Sequence, residues 1–291
     1  MTVKEHMIKA KALSYSYPSK TELEQPVVLK QIDLSIAKGS FVGILGANGS
    51  GKSTFSRLLN GLLLPAGGKI YADGMDTQDE SLLLEIRRRI GLVFQNPDNQ
   101  IVSSVVEDDV AFAPENLGIA PEEIRKRVEA SLKAVGLAGF ERHAPHLLSG
   151  GQKQRLAIAG ILAMEPKCIV LDEATAMLDP KGRGEVLETV RNLNRHQGIT
   201  VIFITHHMDE CIGFDRLLVM DAGEIVKDGS PMEIFAQVDD LEALGLTVPQ
   251  STKLLYLLKK QGIDVPLGGF STEECAQMIY NALSLKGGGK L

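Results

Sequence analysis

The sequence predicts an α/β fold, and two observations carry that reading. An apolar run, Phe41-Val42-Gly43-Ile44-Leu45, leads into a glycine-rich loop and then into Thr54 to Leu59, where apolar residues recur at helical spacing. Two later apolar runs, Cys168 to Leu171 and Thr200 to Ile204, end in polar residues and are separated by a helical stretch from Pro180 to Arg195. Strand and helix therefore alternate, and in an open α/β sheet ligands collect where such strands end.

The elements follow in order. Ile8 to Tyr17 mixes apolar and polar residues as an edge strand does, with a turn expected at Pro18-Ser19-Lys20-Thr21. Val27 to Ile36 is a second strand leading to a Lys38-Gly39 turn. Lys69 to Gly74 reads as a hairpin return and Leu82 to Arg89 as a short helix. The helix ends in three arginines that suit a solvated carboxy-terminal end. Ile90 to Phe94 is a buried strand ending at Gln95. From Asn96 to His146 strand signals vanish. Pro121 opens a helix with Ile124, Val128, Leu132 and Val135 on one face, inserted between strands. Ser149 and Gln152 are spaced as a capping box at the start of a further helix, and Ser230 and Glu233 repeat that spacing. Leu217 to Asp228 is a hairpin turning at Asp221-Ala222-Gly223. From about Val248 a leucine-bearing segment stands apart, and Gly287-Gly288-Gly289 reads as a disordered tail.

Composition narrows the function. The chain has 291 residues and a net charge of −6, which argues against nucleic acid as the main partner. Its three cysteines, Cys168, Cys211 and Cys275, are far apart and suggest neither disulfides nor a zinc site, so a reducing cytosol is the simplest setting. No apolar run approaches the ~20 residues of a membrane span, and the start lacks a signal-peptide core.

The chemistry centres on Gly46-Ala47-Asn48-Gly49-Ser50-Gly51-Lys52-Ser53. Glycines 46, 49 and 51 let backbone N–H groups turn inward as an anion nest, and the following helix points its positive end at the same spot. Lys52 would reach the β- and γ-phosphates of a nucleotide, and Ser53 would ligate Mg²⁺, with Thr54 as a further hydroxyl. Asp172, after four apolar residues, looks like a Mg²⁺-holding carboxylate, Glu173 is a candidate general base for water, and His206 could orient that water or the phosphate. Either Tyr15 or Tyr17 could stack on an adenine.

These motifs, with Gln95 and Leu148-Ser149-Gly150-Gly151-Gln152 in this order, resemble the ATP-binding cassette (ABC) ATPases over about residues 1 to 240. The resemblance implies a RecA-like core, an antiparallel β arm and a helical signature subdomain at about 96–165, all within residues 1–247, and a small helical carboxy-terminal extension over 248–291. It implies that Gln95 senses Mg²⁺ and the transport partner. Leu148 to Gln152 become the signature, Leu178-Asp179 the D-loop and His206 the switch histidine, with Tyr17 the better match for adenine stacking. It further implies head-to-tail pairing, in which the signature of one subunit closes on the γ-phosphate held by another.

Val93 to Gln100, Ala111 to Asn116, Asp172 to Pro180 and Leu244 to Pro249 are similar to the energy-coupling factor (ECF) transporter ATPases, in particular the first of two paralogous subunits. That likeness implies an importer of vitamins or metal ions at the cytoplasmic face of the cell membrane. Its partners would be a second ATPase subunit (the paralogue, or self as a homodimer), an integral membrane coupling subunit and a substrate-binding membrane subunit. Val102, Val105, Val106 and Phe112 could floor a groove for a coupling helix, or be plain core. The rival readings are an ordinary ABC importer ATPase, a soluble repair or translation ABC protein, and a phosphate-loop kinase. No sustained heptads and no second cassette support the soluble classes, and a kinase leaves the signature unexplained.

Overall fold

The computed structural model describes residues 5–18 and 26–287. The amino-terminal part is an antiparallel arm of β1 (His6–Ser16), β2 (Val27–Ala37), β4 (Gly67–Ala72) and β5 (Met75–Asp76), in the order β2-β1-β4-β5. The strand expected at the edge, β1, is thus an interior strand paired on both sides. Its alternation reports that one face is buried, and burial of a face does not fix position within a sheet. Beyond Pro18, the turn expected at 18–21 lies outside the described residues.

The second sheet has six strands. These are β3 (Phe41–Leu45), β6 (Ile90–Val93), β7 (Cys168–Asp172), β8 (Thr200–Ile204), β9 (Arg216–Asp221) and β10 (Glu224–Gly229), ordered β10-β9-β3-β8-β7-β6. All but β10 run parallel. Period-two alternation divides their apolar residues between two cores. Ile169, Leu171, Val201 and Phe203 face α3 (Val106–Asn116), α4 (Pro121–Ala134), α5 (Gly150–Leu162) and α6 (Pro180–Gln197). Val170, Ile202 and Ile204 face the arm together with α1 (Lys52–Leu59) and α2 (Leu83–Arg89). Burial on both faces is why these strands read as unbroken apolar runs, and each fully buried side chain contributes roughly 1.5–3 kcal/mol.

One ionic cluster ties the arm to this sheet. The Asp73 carboxylate, 3% exposed, meets Lys38 at 2.8 Å, Lys167 at 2.9 Å and Arg89. Burial pushes its pKa up, but hydrogen bonds from the three cations outweigh that and hold it well below the usual carboxylate range. Arg89 is therefore committed to Asp73 and Glu85, and Arg87 donates to the Gly61 carbonyl at 3.0 Å, so the arginine run is less solvated than its helix-end position suggests.

After α7 (Pro231–Phe235) and α8 (Val238–Ala243), Leu246 and Val248 enter the main core. The helices α9 (Gln250–Lys260) and α10 (Thr272–Gly287) enclose a small cluster of Leu255, Val265 and Cys275, and Phe270 packs edge-on against Phe235 at 5.9 Å. Leu254 and Leu257 stay exposed. Gly287, expected to open a disordered tail, is instead the last residue of α10, and 288–291 lie outside the described residues.

Candidate active site

Three neighbouring strands, β3, β8 and β7, end side by side and carry the phosphate loop, His206 and the Asp172-Glu173 pair. The loop leaves β3 at Gly46, where a Cβ would lie 2.4 Å from the Met220 carbonyl oxygen and 2.5 Å from Ser50 Oγ. Only glycine lets the chain pass that close to β9. Gly51 precedes α1 with φ +102°, a left-handed conformation that turns the first helical N–H groups toward the loop.

Lys52 is buried, and its Nζ donates to the carbonyls of Gly46 at 2.8 Å and Ala47 at 2.9 Å. Burial lowers its pKa, while Glu173 and Asp172 act in the opposite sense. The ammonium is thus held over the loop on acceptors that an incoming phosphate can replace. Ser50 Oγ is buried without a partner, and Asn48, Gly49, Gly51, Lys52, Ser53, Thr54 and Glu173 line one cleft of about 240 Å³. Thr54 Oγ1 lies 3.0 Å from the Tyr17 hydroxyl, and Tyr17, 40% exposed, stands edge-on to the buried Tyr15 at 5.0 Å. Of the two tyrosines, Tyr17 alone offers a free face beside the loop.

Asp172 is 5% exposed and accepts from Ser53 Oγ and Ser56 Oγ, each at 2.9 Å. Gln95 is exposed and shares a cleft of about 380 Å³ with Ser53 and Asp172. A serine hydroxyl and a carboxylate, open to a phosphate pocket, are hard oxygen donors of the kind Mg²⁺ takes, since that ion completes its shell with water and substrate phosphates. The residues present therefore fit Mg²⁺ with a nucleotide.

Glu173 has φ +51° and donates its N–H to the Ile204 carbonyl at 3.0 Å. Its Oε2 lies 3.8 Å from His206 Nδ1. The neighbouring His207 is half-buried, which lowers its pKa. His6, His143, His146 and His196 are exposed and away from this edge.

The signature residues lie elsewhere. Ser149, Gly150, Gly151 and Gln152 line a separate cleft of about 590 Å³ with Met177, Leu178 and Asp179. The capping box forms as expected, Gln152 N–H donating to Ser149 Oγ at 3.3 Å and Ser149 N–H to Gln152 Oε1 at 2.8 Å. Gln154, on the same helix and fully buried, donates through Nε2 to the Phe94 carbonyl at 3.1 Å, and Lys153 meets Asp98 at 2.7 Å, so α5 is fastened to the segment around Gln95. Of the four residues expected to floor a groove, Val106 is core, Val105 is half-buried, and Val102 and Phe112 are exposed.

Sequence reasoning missed Ser56, Gln154 and a buried glutamate, Glu210. Ser56 had a signal, being one helical turn beyond Ser53 and so on the same face of α1. Gln154 acts through the Phe94 carbonyl and Glu210 in part through Thr175, both distant in sequence, and neither gave one.

The ABC transporter family profile matches residues 29–176. The chain is 58% identical over 261 residues to the energy-coupling factor transporter ATP-binding protein EcfA1 of Clostridium perfringens, covering 90% of this chain and 93% of that one. It is 56% identical over 273 residues to EcfA1 of Caldanaerobacter subterraneus subsp. tengcongensis, covering 94% and 98%. Among solved structures it matches cbiO1 from Clostridium perfringens, described as part of the ABC transporter complex cbiONQ, with TM-score 0.75 and 36% identity over 88% of this chain and 100% of that one. It also matches a dimeric ATP-binding cassette in a post-hydrolysis state bound to ADP and Pi, with TM-score 0.69 and 34% identity over 77% and 99%.

Proposed function

This chain belongs to the ABC transporter family and, within it, to the energy-coupling factor transporter ATP-binding proteins, and from that premise we propose how its residues divide the work of ATP-driven uptake. It is an ABC-type ATPase. The observation that carries the assignment of roles is the placement of Lys52, Asp172, Glu173 and His206 on three adjacent strand ends, with the signature in a different cleft of the same chain.

Asn48 to Thr54 cradle the β- and γ-phosphates through backbone N–H groups, with Lys52 as the point charge and Tyr17 stacked on the adenine. Ser53, Asp172 and Gln95 would hold Mg²⁺, which supplies neutralisation of the charge on the phosphate oxygens. Glu173 Oε2 accepts a proton from water aimed at the γ-phosphate. His206, whose Nδ1 faces that carboxylate at 3.8 Å, orients the water or the phosphate. Ser149, Gly150, Gly151 and Gln152 close on a γ-phosphate held by a second ATPase subunit, so hydrolysis belongs to a head-to-tail pair. Gln154 and Lys153 link that closing helix to the Gln95 segment, beside which the exposed Val102 and Phe112 offer an apolar contact to an integral membrane subunit.

On this reading the chain is peripheral to the cytoplasmic face of the membrane. It powers uptake of a vitamin or metal ion chosen by a separate substrate-binding subunit, and the helices α9 and α10 pack against the second ATPase subunit. The test is to co-purify the chain from membranes with its partners, identify them by mass, and measure ATP-dependent uptake in vesicles. Glu173→Gln should abolish uptake in the assembly that the wild-type chain drives, and unimpaired uptake by that variant would overturn the assignment.

A further inference from the structure

Glu210 takes no part in the chemistry above, yet it is built into the same edge. It is 6% exposed and sits on the short helical turn Met208–Cys211 that follows the switch histidine. Its Oε2 accepts from Thr205 Oγ1 at 2.5 Å, one residue before His206, and from Thr175 Oγ1 at 3.1 Å, two residues after Glu173. Thr205 Oγ1 in turn accepts the His207 N–H at 2.9 Å. The backbone of Glu210 is itself anchored. Its N–H donates to the His207 carbonyl at 3.2 Å, and its carbonyl accepts from Arg191 Nη2 on α6, which also donates to the Ile212 carbonyl at 2.6 Å.

Stability alone does not account for this arrangement. The second carboxylate oxygen, Oε1, is buried without a partner, and a half-satisfied buried carboxylate is a costlier way to fill a core than an apolar side chain of the same size. The feature that needs support is Glu173. A φ of +51° is strained for a residue with a side chain and persists only where the flanking chain is pinned. Three pins are present: Glu173 N–H on the Ile204 carbonyl, Ala176 N–H on the Glu173 carbonyl, and the Thr175 hydroxyl on Glu210. Two of the three run from the end of β7 to β8 or the loop after it.

We propose that Glu210 is a positioning residue for ATP hydrolysis. Its carboxylate locks the end of β7 to the end of β8, and so keeps Glu173 in its left-handed conformation and its Oε2 in register with His206. This rests on Glu173 being the base. Lys52, Ser53 and Asp172 take no part in the network, so loss of Glu210 acts on turnover and spares ATP affinity.

The experiment places Glu210→Leu, Glu210→Gln, Thr175→Val and Glu173→Gln singly, and Glu210→Leu with Thr175→Val together, in this chain of the assembled complex. For each it measures single-turnover hydrolysis, ATP affinity and Tm. Leucine keeps the packing and removes both hydrogen bonds, whereas glutamine keeps an acceptor without the charge. Glu210→Leu should hydrolyse about ten- to a hundredfold more slowly with ATP affinity within about threefold of wild type, as expected when an interaction matters only in the transition state. Glu210→Gln should recover part of the rate. Thr175→Val should slow hydrolysis by about threefold to tenfold and add little on top of Glu210→Leu, because both cut the same link. Wild-type turnover per folded molecule in Glu210→Leu, or a loss that appears as weaker ATP binding, would overturn the proposal. If Glu210→Leu does not fold, Thr175→Val decides by the same readouts. An inactive Glu173→Gln beside fully active Glu210 and Thr175 variants removes the positioning role alone, whereas an active Glu173→Gln removes the reading of the site on which it rests.

Discussion

On the proposed reading the phosphate-loop edge and the signature cleft both meet phosphate, and they differ in what their own chain offers them. At the loop edge the reactive groups already have partners: Lys52 on two carbonyls, Asp172 on two serines, Glu173 facing His206. At the signature, among the described residues, the Ser149 hydroxyl is engaged by its own cap alone, and the cleft is completed by Met177, Leu178 and Asp179. The phosphate loop and the strand-end carboxylates are not among its lining residues. Glycine meets glycine where the two walls touch, a Cβ on Gly151 falling 3.1 Å from Gly182 Cα, so α5 and α6 present signature and D-loop as one face. On the proposed reading the first device binds nucleotide unaided, and the second works on a nucleotide that another chain presents.

That contrast sets what each substitution should do. Glu173→Gln should bind ATP normally and lose hydrolysis by about 10²–10⁴-fold, since an amide accepts no proton from water. An ATP titration beside a phosphate-release assay separates the two effects. Lys52→Ala should weaken ATP binding about a hundredfold, through loss of a charged donor worth about 1.5–3 kcal/mol per hydrogen bond. Unchanged affinity in a direct titration of the isolated chain would break the first half of the contrast. Ser149→Ala should leave that affinity alone and slow hydrolysis in the assembly about tenfold or more, because its donor acts across the subunit boundary. If it weakens ATP binding by the isolated chain instead, the two regions are not separate.

Asp73→Asn should spare both regions and lower stability by about 1 kcal/mol, as the buried carboxylate of an otherwise partly exposed ionic cluster is neutralised. The sign of its pH dependence follows from a folded-state pKa held below the unfolded value. The stabilisation is fully present above about pH 4 and fades as pH falls further, so acid unfolding of wild type and Asp73→Asn should converge there.

The loop edge was legible because its chemistry is local. Gly46 to Ser53 lie in one loop, and Asp172, Glu173 and His206 each follow an apolar strand whose end marks the ligand side of the sheet. The capping boxes at Ser149 and Ser230 were legible for the same reason. What escaped depends on packing between distant segments. The interior place of β1 is set by pairing with β2 and β4, and the Glu210 bridge by its link to Thr175, 35 residues away. Gly287 was misread because a glycine run signals disorder locally, while the helix before it carries through that position.

The most direct measurement is the solution mass of the Glu173→Gln chain with and without ATP, alone and beside the second ATPase subunit co-purified from membranes. Blocking hydrolysis should trap the closed state, so the expected result is a stable ATP-dependent pair with that subunit, abolished by adding Ser149→Ala, while the isolated chain stays a monomer or a weak homodimer. A chain that remains monomeric at saturating ATP with every partner present, or a pair that forms equally well without nucleotide, would contradict the head-to-tail site.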